Sequence, residues 1–171
     1  EELAGDHRPA GPLRGGKYSM YDGGTRVPFI VSWPGTVPTG ETDAIVSHVD
    51  FYSSFAELAD GAVAEHAAPD SENVLGALLG RSTVGREEIA VEGMQAKTVL
   101  RRGLWTYIPP YEGPVVSPTT HTELGNAPHS QLYDLREDIG QIANRADREP
   151  DRVRSMEARL REIVSSRRTR R

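Results

Sequence analysis

The sequence contains no cysteine. That excludes a disulfide, a thiolate metal site and a cysteine nucleophile within these residues, and it is compatible with either redox compartment. Aromatic residues are scarce at 6%, and apolar residues reach only 37%, so the core is expected to be modest. No apolar run approaches the roughly 18 residues of a membrane-spanning helix, so no membrane partner is expected. A net charge of −5 gives no reason to expect nucleic acid as a partner. An initiating methionine is also lacking. Residue 1 is Glu, and no charged-then-apolar signal pattern follows it. The chain opens directly into a site-like loop, so it reads as the C-terminal part of a longer protein. Its 171 residues suffice for one domain of ordinary size.

What is present is a stretch from Gly5 to Pro28 that is broken into turns by glycine and proline, with Asp6, Arg8, Arg14, Lys17, Asp22 and Arg26 among them. Val27 to Trp33 follows as a continuous apolar run and predicts a strand buried on both faces. A polar, open loop feeding a buried strand is where a site is commonly built. Lys17 sits beside Gly15 and Gly16. Small neighbours let an anion approach the backbone, and an ammonium offers a compact charge with three donors. The run is not read as a phosphate-binding P-loop, because no helix is evident after the lysine.

These residues resemble a known family. Leu13-Arg14-Gly15-Gly16-Lys17-Tyr18-Ser19, then Tyr21-Asp22-Gly23-Gly24-Thr25-Arg26-Val27-Pro28, then Trp33-Pro34-Gly35, is similar to the lysine-bearing segment of type I sulfatases. These are the arylsulfatase-like enzymes of the alkaline phosphatase superfamily. The usual form has Tyr-Glu-Gly-Gly, and Asp22 stands here in place of the Glu. Further on, Gln131-Leu132-Tyr133-Asp134-Leu135 with Glu137, Asp138 and Asn144 resembles the signature that closes many sulfatases. There Ile139 replaces a usual proline and Gln141 a usual glutamate.

Between these motifs the pattern alternates between helix and strand. Asp50 reads as the N-cap of a helix over 51–59, with Phe51, Phe55 and Leu58 on one apolar face. His48 and Asp50 could form a catalytic pair, though a cap and a loop histidine are the commoner roles. A short helix capped by Ser71 or Asn73 buries Val74, Leu75, Leu78 and Leu79 and stops at Gly80. An antiparallel meander is expected over about 88–92, 97–101 and 104–108, with Trp105 and Tyr107 sharing a face. Residues 109–130 form a long loop carrying His121, Glu123 and His129, whose spacing matches no zinc signature. Pro150 suits the first turn of a last helix with the stripe Val153, Met156, Leu160, Ile163 and Val164, where Glu157 and Arg161 can pair.

The resemblance implies a partial α/β fold. Residues 1–82 would be the end of the catalytic α/β domain, and 83–171 a small α+β subdomain with an antiparallel sheet and a packed helix. It implies sulfate ester hydrolysis, with Lys17 binding the sulfate and assisting the leaving oxygen. His7 and Arg8 are substrate-binding candidates, while Asp22 and Arg26 read as a structural pair. Calcium and a formylglycine nucleophile are implied too, but both would lie outside this chain, since neither Cys-x-Pro-x-Arg nor Ser-x-Pro-x-Arg occurs in it. The implied partners are a sulfated small molecule or carbohydrate and the missing N-terminal part of the same protein. Family habit suggests the periplasm or the exterior of the cell. The rival expectations are a phosphodiesterase or phosphonate hydrolase of the same superfamily, and a non-catalytic orphan fragment.

Overall fold

A computed structural model describes residues 8–64 and 66–170. The chain divides into two compact units. One takes in the lysine stretch up to Val27 together with Ala90–Arg161, and the other Pro28–Ile89 with the last residues from Glu162.

The first unit is built on the meander. Strands β1 (Glu88–Glu92), β2 (Thr98–Arg102), β3 (Trp105–Ile108) and β4 (Gln131–Asp134) lie in that order in one sheet. β2 and β3 pair antiparallel with Leu100 opposite Tyr107, and β3 and β4 with Tyr107 opposite Leu132. Side chains alternate across a sheet, so this register sorts the strands into two faces. Leu100, Tyr107 and Leu132, all fully buried, share one face with Trp105. Helix α4 (Pro150–Ser166) covers that face, its Arg152 guanidinium lying 4.2 Å from the Trp105 ring centroid. Met156, Leu160 and Ile163 of the expected stripe are buried, whereas Val164 is exposed. Glu157 and Arg161 pair at 2.6 Å, as their spacing predicts.

The opposite face carries Val99, Ile108 and Tyr133, and on it sit Met20 and Tyr21 of the lysine stretch. Burying two such large side chains contributes on the order of 4 kcal/mol to holding that stretch against the sheet. The closing signature is a set of turns locked by side chains. Asp138 accepts the Ala143 N–H at 2.8 Å, and Asn144 accepts the Leu132 N–H at 2.9 Å.

Three expectations for the stretch 27–58 are overturned. Residues 27–33 form no strand, and Val27, Phe29, Ile30, Val31 and Trp33 are all exposed, Ile30 to 87%. A strand exists only where a neighbour completes its hydrogen-bond ladder, and among the described residues the sheet contains only β1 to β4. The run is apolar, as its composition shows, but it is not a buried strand. Helix α2 (Phe51–Leu58) likewise packs through its polar side. Ser53 and Ser54 are buried, with the Ser53 N–H bonded to Ser71 Oγ and Ser54 Oγ accepting the Val74 N–H. The expected core face turns outward, Phe55 and Leu58 being exposed. Phe29, Phe51 and Phe55 stack there at 5.6 and 5.3 Å.

The third departure concerns Asp50. It makes no side-chain cap to α2 and instead closes the preceding 3-10 turn His48–Asp50, accepting the Ser47 N–H at 2.9 Å. Helix α3 (Leu75–Leu78) follows the short-helix expectation, with Asn73 accepting the Leu75 N–H and Gly80 ending it at φ +66°.

Candidate active-site loop

The lysine loop is a chain of tight turns whose polar groups are satisfied nearly on the spot. Ser19 N–H donates to Gly16 O at 2.9 Å, Tyr21 N–H to Ser19 Oγ at 3.1 Å, and Gly23 N–H to Arg14 O at 2.9 Å. Asp22–Thr25 then forms one helical turn, α1. The last of these bonds folds Gly23 back against the residues before the lysine. A Cβ at Gly23 would meet Arg14 O at 2.5 Å and Gly15 O at 2.9 Å, both backbone atoms that cannot swing away. Gly23→Ala is therefore expected to push residues 14–16 outward and to cost about 1–3 kcal/mol. A denaturation midpoint equal to that of the unsubstituted chain would contradict this.

Lys17 is exposed, with its ammonium 5.1 Å from the Tyr18 ring centroid. Tyr18 has φ +77°, a left-handed conformation costly for a residue with a side chain. Such strain persists only where the surroundings impose it. Lys97, the chain's other lysine, is differently employed. Its Nζ donates to Asn126 Oδ1 at 2.6 Å and to Glu112 O at 2.7 Å.

The surroundings of the loop supply that constraint. Tyr21 and Tyr133 both donate their hydroxyls to Gln131 Oε1 at 2.9 Å, and their rings meet edge to face at 6.1 Å. Burial pushes both phenols above their ordinary range. Met20 N–H donates to Leu124 O at 3.0 Å. Arg14 lays its guanidinium 4.2 Å from the Tyr21 ring centroid and donates to both carboxylate oxygens of Glu123, at 2.7 and 2.9 Å. These bonds hold the Glu123 carboxyl below its ordinary range, against the opposing effect of burial.

Asp22 is buried with Arg26 at 3.6 Å and Arg101 at 3.5 Å. Burial raises its carboxyl above the usual value, and Arg101 and then Arg26 pull it back. The expected Asp22–Arg26 pair is thus present, with Arg101 as an unforeseen third member.

His7 lies outside the described residues. Arg8 is exposed, and its carbonyl accepts the Gly11 N–H at 2.9 Å. Asp50 does not pair with His48. It is fully buried and engaged by Arg86, Ser47 and Glu72, whereas the exposed His48 ring sits edge-on to Phe51 at 5.6 Å. Glu123 is committed to Arg14, and among the described residues no three His, Asp or Glu side chains gather as a metal site.

The sulfatase family model matches residues 3–62, which takes in this whole loop. The chain is 41% identical over 163 residues to the N-acetylgalactosamine-6-O-sulfatase of Bacteroides thetaiotaomicron, spanning 95% of this chain and 32% of that protein. The chain belongs to the sulfatase family. A structure solved in work on glycosaminoglycan metabolism by Bacteroides thetaiotaomicron superposes with a TM-score of 0.90 at 39% identity, over 94% of this chain and 34% of that one. Arylsulfatase K of Gallus gallus is 30% identical over 179 residues, 96% of this chain and 29% of its own length. This sulfatase chain thus spans about a third of the length of the relatives it matches. Its fold is part of the alkaline phosphatase-like α/β architecture, represented by the antiparallel sheet and its covering helix.

Proposed function

We propose that this chain is the C-terminal portion of a sulfuric ester hydrolase and that Lys17 is its catalytic contribution. The observation that carries this reading is an exposed ammonium on a strained, many-times-anchored loop. Cleaving a sulfate ester places negative charge on the transferring sulfuryl oxygens and on the departing oxygen. A cation already aimed at those atoms lowers the barrier without reorganising during the reaction. Lys17 binds the sulfate and donates toward the leaving oxygen. Arg8 and His7 bind the remainder of an anionic substrate. Similarity to an N-acetylgalactosamine-6-O-sulfatase supports a sulfated carbohydrate as that substrate.

Calcium and formylglycine, which the family implies, find no fit among these residues. The sequence offers neither nucleophile motif, and the described residues offer no convergent set of metal ligands. The outward-facing apolar surface of Ile30, Trp33 and Phe55 supports the view that further sulfatase chain covers it.

The purified 171-residue chain is expected to hydrolyse no aryl sulfate, whereas the same segment in a full-length sulfatase is expected to do so. Turnover by the chain alone would overturn the division of labour. A full-length protein that prefers phosphate to sulfate esters would move the assignment to a phosphodiesterase of the same superfamily.

A further inference from the structure

Arg14, three residues before the lysine, meets two segments far away in sequence. Its Nε and Nη2 take both oxygens of Glu123, and its Nη1 donates to Gln141 O at 2.8 Å. The Gln141 side chain turns the other way and accepts the Asp22 N–H through Oε1 at 2.7 Å. Gln141 is fully buried and holds φ +50°, so its backbone and its amide grip opposite ends of the loop at the expense of its own conformation.

Glu123 is itself braced. It stands on a ribbon in which Val116 bridges Glu123, Ser117 N–H donates to Thr122 O at 2.8 Å, and Leu124 N–H donates to Val115 O at 2.8 Å. Its neighbour Thr122 lies against Gly16, where a Cβ would come 3.4 Å from the Thr122 methyl. The residues on either side of Lys17 are thus clamped from outside the loop, and the lysine rides between the jaws.

We propose that Glu123 and Gln141 are positioning residues that fix Lys17 for the reaction, Glu123 through Arg14 and Gln141 through Arg14 and Asp22. This rests on the reading of Lys17 given above. A bidentate carboxylate–guanidinium pair sets direction as well as distance, which suits a clamp whose function is geometry. Small misplacements of a reacting group cost rate far more than they cost binding of the ground state.

The test uses the full-length sulfatase that carries this segment. Glu123→Gln keeps the shape of the side chain and removes the bidentate charge. Gln141→Leu removes the acceptor for Asp22 and serves where the first variant folds poorly. The readouts are kcat and KM on an aryl sulfate, and amide hydrogen exchange at Ser19, Gly23 and the α4 helix. The expected result is a kcat lowered on the order of tenfold with KM nearly unchanged. Exchange should be faster at Ser19 and Gly23 while α4 keeps its protection. An unchanged kcat alongside faster loop exchange would overturn the proposal. So would a loss of kcat that tracks loss of protection in α4, because that reports general destabilisation. Lys17→Met is measured beside them. If it leaves kcat intact, the reading of Lys17 fails on its own account, whatever the exchange data say of the clamp.

Discussion

Lys17→Met in the full-length sulfatase is expected to lower kcat by a factor on the order of 10^3 or more, with no loss of folding stability. Removing a single preorganised donor from a developing oxyanion already costs about 10^2–10^3-fold. Lys17 supplies a full charge in addition to its donors, so the upper end is expected. Stability is spared because the side chain is exposed and its contact is the face of Tyr18. Methionine preserves length and apolar stem and removes only the ammonium. Lys17→Arg keeps the charge with different reach and fork geometry, and is expected to recover only part of the rate. Steady-state kinetics paired with a thermal melt decide the matter. A Lys17→Met protein that turns over at the original rate would remove Lys17 from the mechanism.

The largest stability effect is expected elsewhere, at Arg86. Its side chain is 1% exposed and that of Asp50 is 0% exposed, with Arg86 Nη1 2.5 Å from Asp50 Oδ1. Arg86 also donates to Asp70 O at 2.9 and 3.1 Å and to Thr169 Oγ1 at 3.0 Å, and it pairs with Glu72 at 3.0 Å. Asp50 in turn holds the Ser47 and Glu72 N–H groups. One buried pair therefore ties together four separated stretches of the second unit. Arg86→Met strands Asp50 as a buried charge and is expected to cost about 3–5 kcal/mol. Replacing both residues, Asp50→Leu with Arg86→Met, is expected to cost less than the sum of the single changes, because neither charge is then left alone. Urea unfolding of the four proteins provides the cycle. A loss below about 1 kcal/mol for Arg86→Met would show that the pair contributes no more than a surface bridge.

How far the sequence revealed this depends on the range of each interaction. The meander, α4 and its Glu157–Arg161 pair follow from periods of two and 3.6 residues, which are local. The lysine loop was legible because glycine, proline and charge are crowded into one short stretch. What escaped was partnership at a distance. In the sequence Glu123 stands in a loop whose spacing matches no zinc signature, and its partner Arg14 lies 109 residues away with no local pattern to join them. In the sequence Gln141 is only a departure from a usual glutamate, and its bond to Asp22 spans 119 residues. Asp50 looked like a helix cap because caps are the common use of Asp before an apolar run. Arg86, its actual partner, carried no signal at all. Residues 27–33 and α2 misled for a different reason. Hydrophobic pattern reports which surface seeks cover, and it is silent on whether the cover belongs to the same stretch of chain.

The shared acceptor at Gln131 gives the lysine loop an alkaline limit. Tyr21 and Tyr133 keep their protons longer than free phenols do, and each uses its proton to hold the same oxygen. A folded-state pKa raised above the unfolded value means that this stabilisation is fully present below the ordinary phenol range and drains away as pH climbs through the raised values. Deprotonation of either ring would set a phenolate oxygen against the amide oxygen that its proton now holds, and so removes the bond that ties that ring to Gln131. Ionisation of either buried ring therefore loosens the loop's hold on the sheet, and the footing of the lysine weakens toward the alkaline end of the range.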